Sequence, residues 1–176
     1  MDSLPVLKYG NPILRKKVCI VKDFAIIPEL IKEMYKTIEA EHGIGLAANQ
    51  VGLSINLMVI DTRNLEDDEG ESFIFVNSEI LESQGEIIMD EGCLSIPDIR
   101  AEIKRPETII LKYQDIEQRF HEKQFSGLTS RVIQHEMDHL NGKLFIDYLP
   151  QTKRILLNKR LLELSKVRKP SAGINL

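Results

Sequence analysis

His135-Glu136-Met137-Asp138-His139 is the segment of this chain whose residue types and spacing most directly suggest chemistry. At roughly 100° per residue, a helix sets positions four apart about 40° from one another and one turn apart in height. Two imidazoles so placed can grip one metal ion. Glu136 lies next to them on the same side, where it can take a proton from a metal-bound water. A five-residue match also arises by chance, and a histidine pair can be a surface or core feature. Two observations favour the metal. On a helix, Leu128, Val132, His135, Glu136 and His139 share one sector, and Thr129, Ile133, Met137 and Leu140 make an apolar sector beside it. Only Ser130, Arg131, Gln134 and Asp138 are left for water, so the helix is central to the fold and its histidines point into protein. A third ligand is also on offer. Catalytic zinc-type sites use three protein ligands and leave one position open, and Cys93 sits upstream in the small-residue turn Glu91-Gly92-Cys93-Leu94-Ser95. The alternative for Cys93 is a buried thiol, the usual fate of a lone cysteine. Cys19, with no polar motif around it, is read as such a thiol and given no role.

The elements that must position these groups follow from pattern. A helix is expected over about 127–140, stopped by Asn141-Gly142. An earlier one starts at Pro28, keeps Ile31, Met34, Tyr35 and Ile38 on a stripe, and ends at His42-Gly43. Gly10 to Arg15 has turn chemistry followed by an apolar anchor. The block from Gly43 to Gly52 is too glycine-rich for a helix and too small-residued for a regular strand. Short strands are expected at 55–61, 72–77, 84–90, 100–104, 107–113 and 117–125. The acidic run from Glu66 to Glu71 reads as a solvated loop. No helix alternates with these strands, so a parallel α/β sheet is disfavoured and an α+β fold with antiparallel sheets is expected. A last helix is expected over about 151–168, lying against the body through Ile155, Leu156, Leu161, Leu162 and Val167 with its basic residues in water.

Composition bounds the rest. The chain has 176 residues, 43% apolar and 28% charged, enough to bury roughly 70% of the unfolded surface without a disulfide. One catalytic domain over 1–150 is expected, with 151–176 a basic helix and tail of the same domain. The longest apolar runs are four residues (Phe24–Ile27, Leu57–Ile60 and Phe73–Val76 among them), far below the ~20 a membrane span needs. The first residues show no secretory signal, and two cysteines make no disulfide framework, which favours a reducing compartment. Net charge is −4, too mild to demand a charged partner. Residues 153–169, however, hold seven Lys/Arg and one acid, Glu163.

Three blocks in this order, Gly43-Ile44-Gly45-Leu46-Ala47-Ala48-Asn49-Gln50, Glu91-Gly92-Cys93-Leu94-Ser95 and Gln134-His135-Glu136-Met137-Asp138-His139-Leu140-Asn141-Gly142, resemble the signature motifs of peptide deformylases. The resemblance implies antiparallel sheets around the HExxH helix and hydrolysis of the N-formyl group from the formylmethionine of nascent chains. It implies that Cys93, His135 and His139 bind the metal, that Glu136 is the base, and that Gln50 with the backbone N–H of Leu94 holds the oxyanion. It implies iron in the cell; a Cys-plus-two-His set also suits Zn²⁺, Co²⁺ and Ni²⁺. Asn49 and Asp98 depart from expectation, Asp98 standing where Gly is frequent. Arg131 stands where an apolar residue is common and bears on the pocket's rim.

The chemistry is coherent without the name. A bound metal lowers the pKa of its water to about 7, Glu136 passes the proton to the leaving amine, and each oxyanion donor is worth about 3–4 kcal/mol in the transition state. A pocket for the methionine side chain would draw on Ile44, Met89, Leu128, Val132 and the Arg131 rim. Gly45 and Gly92 let peptide backbone approach. Two other readings remain. A zincin-type endopeptidase needs a downstream His or Glu ligand, and the stretch from Leu140 to Pro150 offers only Asp147. An inactive metal-bearing module needs neither Glu136 nor Gln50. The basic terminal helix suggests attraction to ribosomal phosphates, or simply a solubilising tail. The resemblance points to a bacterial cytoplasm, with no membrane and no sequence-specific nucleic acid as partner.

Overall fold

The computed structural model describes residues 3–63 and 70–166. The expected loop residues Glu66 to Glu69, Val167 and the chain to Leu176 lie outside the described residues. Chain order gives α1 (Ile27–Ala40), β1 (Gly45–Ala47), β2 (Leu57–Asp61), β3 (Ser72–Gln84), β4 (Ile87–Cys93), β5 (Ile96–Arg105), β6 (Thr108–Gln114), β7 (Phe120–Ser126), α2 (Gly127–Leu140) and α3 (Gln151–Lys166). Single 3₁₀ turns stand at Pro12–Arg15, Ala48–Val51 and Phe145–Tyr148. The fold is α+β, as its pattern predicts.

Five strands form one antiparallel sheet in the order β1-β2-β3-β6-β7, and β4 pairs with β5 in a separate hairpin. Strand β2 is buried along its whole length, because helices cover both faces. Successive side chains of a strand point to opposite sides. Leu57 and Val59 therefore meet α1 at Ile31, Met34 and Ile38. Met58 and Ile60 meet α2 at Val132, Ile133 and Met137. That two-sided demand is why the segment reads as a continuous apolar run rather than an alternation. A third cluster joins Ile96, Ile99 and Ile103 of the hairpin to Phe145, Ile146, Leu149 and Leu161.

Four expectations need correction. The strand expected at 84–90 straddles a turn: β3 runs on to Gln84, Gly85 turns with φ +70°, and β4 starts at Ile87. Bulges after Val76 and Ile80 break the alternation of β3 and hide its continuity. Ser130, Arg131 and Gln134 do not face water; all are buried, because the β4–β5 hairpin and the chain beyond it cover that side of α2. Cys19 is an exposed thiol; only its backbone is engaged, bridging to Ile55. Helix α3 buries Leu161, but Ile155, Leu156 and Leu162 are 63%, 81% and 51% exposed. It touches the body along one narrow line, because only Leu161, with Leu157 and Leu164 partly buried, reaches the third cluster. Among the described residues no helix is long and apolar enough to cross a membrane.

The contrast along α3 is testable. Leu161→Ala should cost about 2–3 kcal/mol, the usual loss for a buried leucine, whereas Leu156→Ala should stay within about 0.5 kcal/mol. Urea unfolding of the two variants measures the difference; equal losses would remove α3 from the core.

Candidate metal centre

The last strand residue of β4 meets the middle of α2. Cys93 Sγ lies 3.1 Å from His139 Nε2, and ligand atoms of Cys93, His135 and His139 all fall within 4.8 Å of one another. One helical turn separates the two imidazoles, whose ring centres are 5.1 Å apart. The pairing shifts register between Gly92 and Cys93, where residues 97–99 of β5 are surplus.

His135 is oriented by Glu91. Its Nδ1–H donates to Glu91 Oε2 at 2.9 Å, which turns Nε2 toward the sulfur. Glu91 also accepts from Arg105 Nε at 2.6 Å and Nη2 at 3.0 Å, and from Arg131 Nη1 at 2.8 Å. Burial pushes this carboxyl up, but the hydrogen bonds from His135 and Arg105 outweigh it and hold the pKa at about 2. Arg105 in turn reaches Asp138 at 2.6 Å. Arg131 Nη1 and Nη2 also donate to the carbonyls of Ile103 (2.9 Å) and Ile87 (2.7 Å), while its buried Nε has no hydrogen-bond partner among the described residues. Its charge thus ties the hairpin to α2.

The remaining groups surround the trio. The Cys93 thiol is held well below its usual range: burial opposes ionisation, and the imidazoles of His139 and His135 overcome it. His135 is raised well above its own usual value by the converse, hydrogen bonds with Cys93 and Glu91 outweighing burial. Burial pushes Glu136 up, and its Oε2 has no partner among the described residues. A Cβ on Gly45 would stand 2.7 Å from Glu136 Oε1, so only glycine fits beside the carboxylate. Gln50 sits in the 3₁₀ turn Ala48–Val51. Its Oε1 accepts the Ala47 N–H at 2.8 Å, which aims Nε2 at Ser95 Oγ (3.3 Å) and Cys93 Sγ (3.8 Å). Leu94 lies in the turn between β4 and β5, its side chain against Gly43.

These groups line a cleft of about 580 Å³. Ile44, Gly45, Gly92, Leu128, Arg131 and Val132 border it, as do Gln50, Cys93, Leu94, His135 and Glu136. Met89, also expected there, is not among its lining residues; it stands opposite Ile103 on the hairpin. Asp98, exposed at the cleft, has φ +61°, the left-handed region that favours glycine. Asn49 is buried and donates to the His139 carbonyl, holding the end of α2.

Pattern reading missed Glu91 as a working group, though a strand places it on the same side as Cys93, two residues on. Nothing local could have found Arg105, which reaches the site from the partner strand. A thiolate and two imidazoles within bonding range of one point, beside an unpartnered carboxylate oxygen, fit a four-coordinate divalent transition ion with one position open. Glu91→Gln should destabilise the protein by about 3 kcal/mol, because buried Arg131 loses its carboxylate partner and buried Arg105 loses one of two. Urea unfolding checks this; an unchanged midpoint would show that Glu91 does not hold the hairpin.

Residues 3–155 match the polypeptide deformylase family. The peptide deformylase of Zymomonas mobilis is 43% identical over 177 residues, covering 97% of this chain and 99% of that protein. The peptide deformylase of Cytophaga hutchinsonii is 39% identical, covering 92% and 90%. Among solved structures, the peptide deformylase of Plasmodium falciparum superposes with a TM-score of 0.85 at 35% identity, over 91% of this chain and 94% of that one. That of Thermus thermophilus gives 0.85 at 36%, over 92% and 97%. The matched span contains the cysteine, both histidines and the buried glutamate, so by sequence and by fold the chain belongs to the polypeptide deformylase family.

Proposed function

We propose that this chain hydrolyses the N-formyl group from the formylmethionine that begins nascent polypeptides, releasing formate. The observation that carries this reading is the convergence of Cys93, His135 and His139 beside the buried, unpartnered carboxylate of Glu136. The three ligands would hold one divalent ion. When bound, that ion supplies Lewis acidity and lowers the pKa of its water to about 7.

The chain's own groups do the rest. Glu136, its carboxyl raised by burial above the ordinary carboxylate value, is suited to accept a proton and deliver it to the leaving amine. Gln50 Nε2 and the Leu94 N–H offer donors to the oxyanion formed at the formyl carbon. Ile44, Leu128 and Val132 give an apolar wall for the methionine side chain, and Gly45 and Gly92 leave room for its backbone. Met89 has a weaker claim, standing off the cleft. Arg131 acts through Glu91 and the hairpin rather than on substrate. Residues 151–176 belong to the same domain as 1–150 in this reading, since Leu161 shares a cluster with the hairpin. Fe²⁺ is the ion proposed in the cell, with Zn²⁺, Ni²⁺ or Co²⁺ possible on isolation, and a bacterial cytoplasm is the proposed compartment.

Anaerobically purified protein should carry about one iron per chain by metal analysis and release formate from formyl-Met-Ala-Ser without cutting its peptide bonds. Glu136→Ala should lower that rate by about 10²–10⁴. Equal rates would make the chain a metal-bearing binder, and cleavage of internal bonds in casein would make it an endopeptidase.

We also propose that α3 attracts the chain to the ribosome. Lys153, Arg154, Lys159 and Arg160 are all exposed on it. Changing these four to Gln, which leaves buried Leu161 in place, should abolish ribosome co-sedimentation at low salt. Undiminished co-sedimentation would reduce α3 to a solubilising element.

A further inference from the structure

Three consecutive residues near the N-terminus bond to both stretches of chain that carry the oxyanion donors. The Leu7 N–H donates to the Gln50 carbonyl at 2.7 Å, and the Tyr9 N–H donates to the Ser95 carbonyl at 2.8 Å. Between them the Lys8 ammonium donates to the Leu94 carbonyl at 3.0 Å. The same ammonium stands 3.6 Å from Glu41 Oε2, just past α1. Lys8 is not among the residues that line the cleft.

Besides these bonds, the turn is held by Gln50 Nε2 on Ser95 Oγ and by the Leu94 side chain against Gly43. Cys93 pairs with Ile96, so Leu94 and Ser95 alone make the reversal of the hairpin. That hairpin shares no ladder with the five-stranded sheet among the described residues. Pinning the Leu94 carbonyl fixes the Leu94–Ser95 peptide plane, which meets the plane carrying the Leu94 N–H at the Leu94 Cα; with Cys93 held by its pairing to Ile96, the Leu94 N–H is restrained from both sides. Leu7 anchors Gln50 from the same short segment, so the two donors are referred to one another through residues 7–9.

We propose that Lys8 is a positioning residue for the oxyanion pair: by gripping the Leu94 carbonyl it keeps the Leu94 N–H at a set distance from Gln50 Nε2. This inference rests on the deformylase reading. An oxyanion contact acts in the transition state and not on bound substrate. Its loosening should therefore lower kcat and leave KM alone.

The test compares wild type, Lys8→Met and Lys8→Arg at equal metal content. Formate release from formyl-Met-Ala-Ser, thermal midpoint and amide exchange of residues 93–96 are measured. Deleting an oxyanion donor outright costs 10²–10³ in kcat; misplacing one should cost Lys8→Met about tenfold. KM should stay within about twofold, with faster exchange at 93–96. Lys8→Arg, which keeps a cationic donor, should recover most of the rate. A Lys8→Met kcat within twofold of wild type overturns the proposal while wild-type turnover stands. So does a loss of rate with unchanged exchange, or one that Arg fails to recover. If wild type releases no formate, the deformylase reading falls, and this proposal with it.

Discussion

Glu91 accepts hydrogen bonds from two guanidinium groups and one imidazole while its side chain is 5% exposed. Taking these charges out of water is expensive, and their mutual attraction repays it only when every donor finds its acceptor. The cluster is therefore more informative as a geometric device than as a source of net stability. Arg105 comes from β5, Arg131 and His135 from α2, and Glu91 from β4, two residues before Cys93. A displacement of the hairpin from α2 would strand at least one buried charge, so the position of the sulfur relative to the imidazoles is set by a group that ligates nothing.

That tie matters because the hairpin has few other connections. The five-stranded sheet gains its rigidity from ladder hydrogen bonds and from helices packed on both faces of β2. Among the described residues the hairpin has its own ladder, the apolar contacts of Leu94 with the first cluster and of Ile96, Ile99 and Ile103 with the chain after α2, and polar ties. Two sets of ties act at opposite ends. Arg131 reaches Ile87 and Ile103, while Lys8 and Tyr9 reach the turn at Leu94 and Ser95. The cleft lies between them, bounded on its other side by the Gly43–Gly45 segment.

The burial of Glu136 is a second consequence of close approach. Strand β1 passes so near α2 that Gly45 has no room for a side chain beside the carboxylate. Burial raises the carboxyl and leaves Oε2 unpaired. A carboxyl in that condition exchanges protons nearer neutrality than an exposed one does.

By itself the sequence determined what local periodicity and spacing can carry. Helix α2 was legible to the residue, because its apolar sector, its Asn141-Gly142 stop and its two histidines all obey one 3.6-residue period. The start of α1 was legible to within a residue from Pro28, and the α+β character from a run of strands with no helix alternating among them. The grouping of Cys93 with His135 and His139 could be suspected from residue types and from family resemblance, not from local pattern. Only the tertiary structure decided which polar residues on α2 face inward. Arg131 and Gln134 sit on the sector that an isolated amphipathic helix would give to water, and a hairpin more than 25 positions away in the chain covers them. It also decided that Glu91 orients His135, that Lys8 grips the Leu94 turn and that β3 continues through its bulges. Each of these is a contact between residues distant in sequence, and a local period holds no record of what will be packed against it.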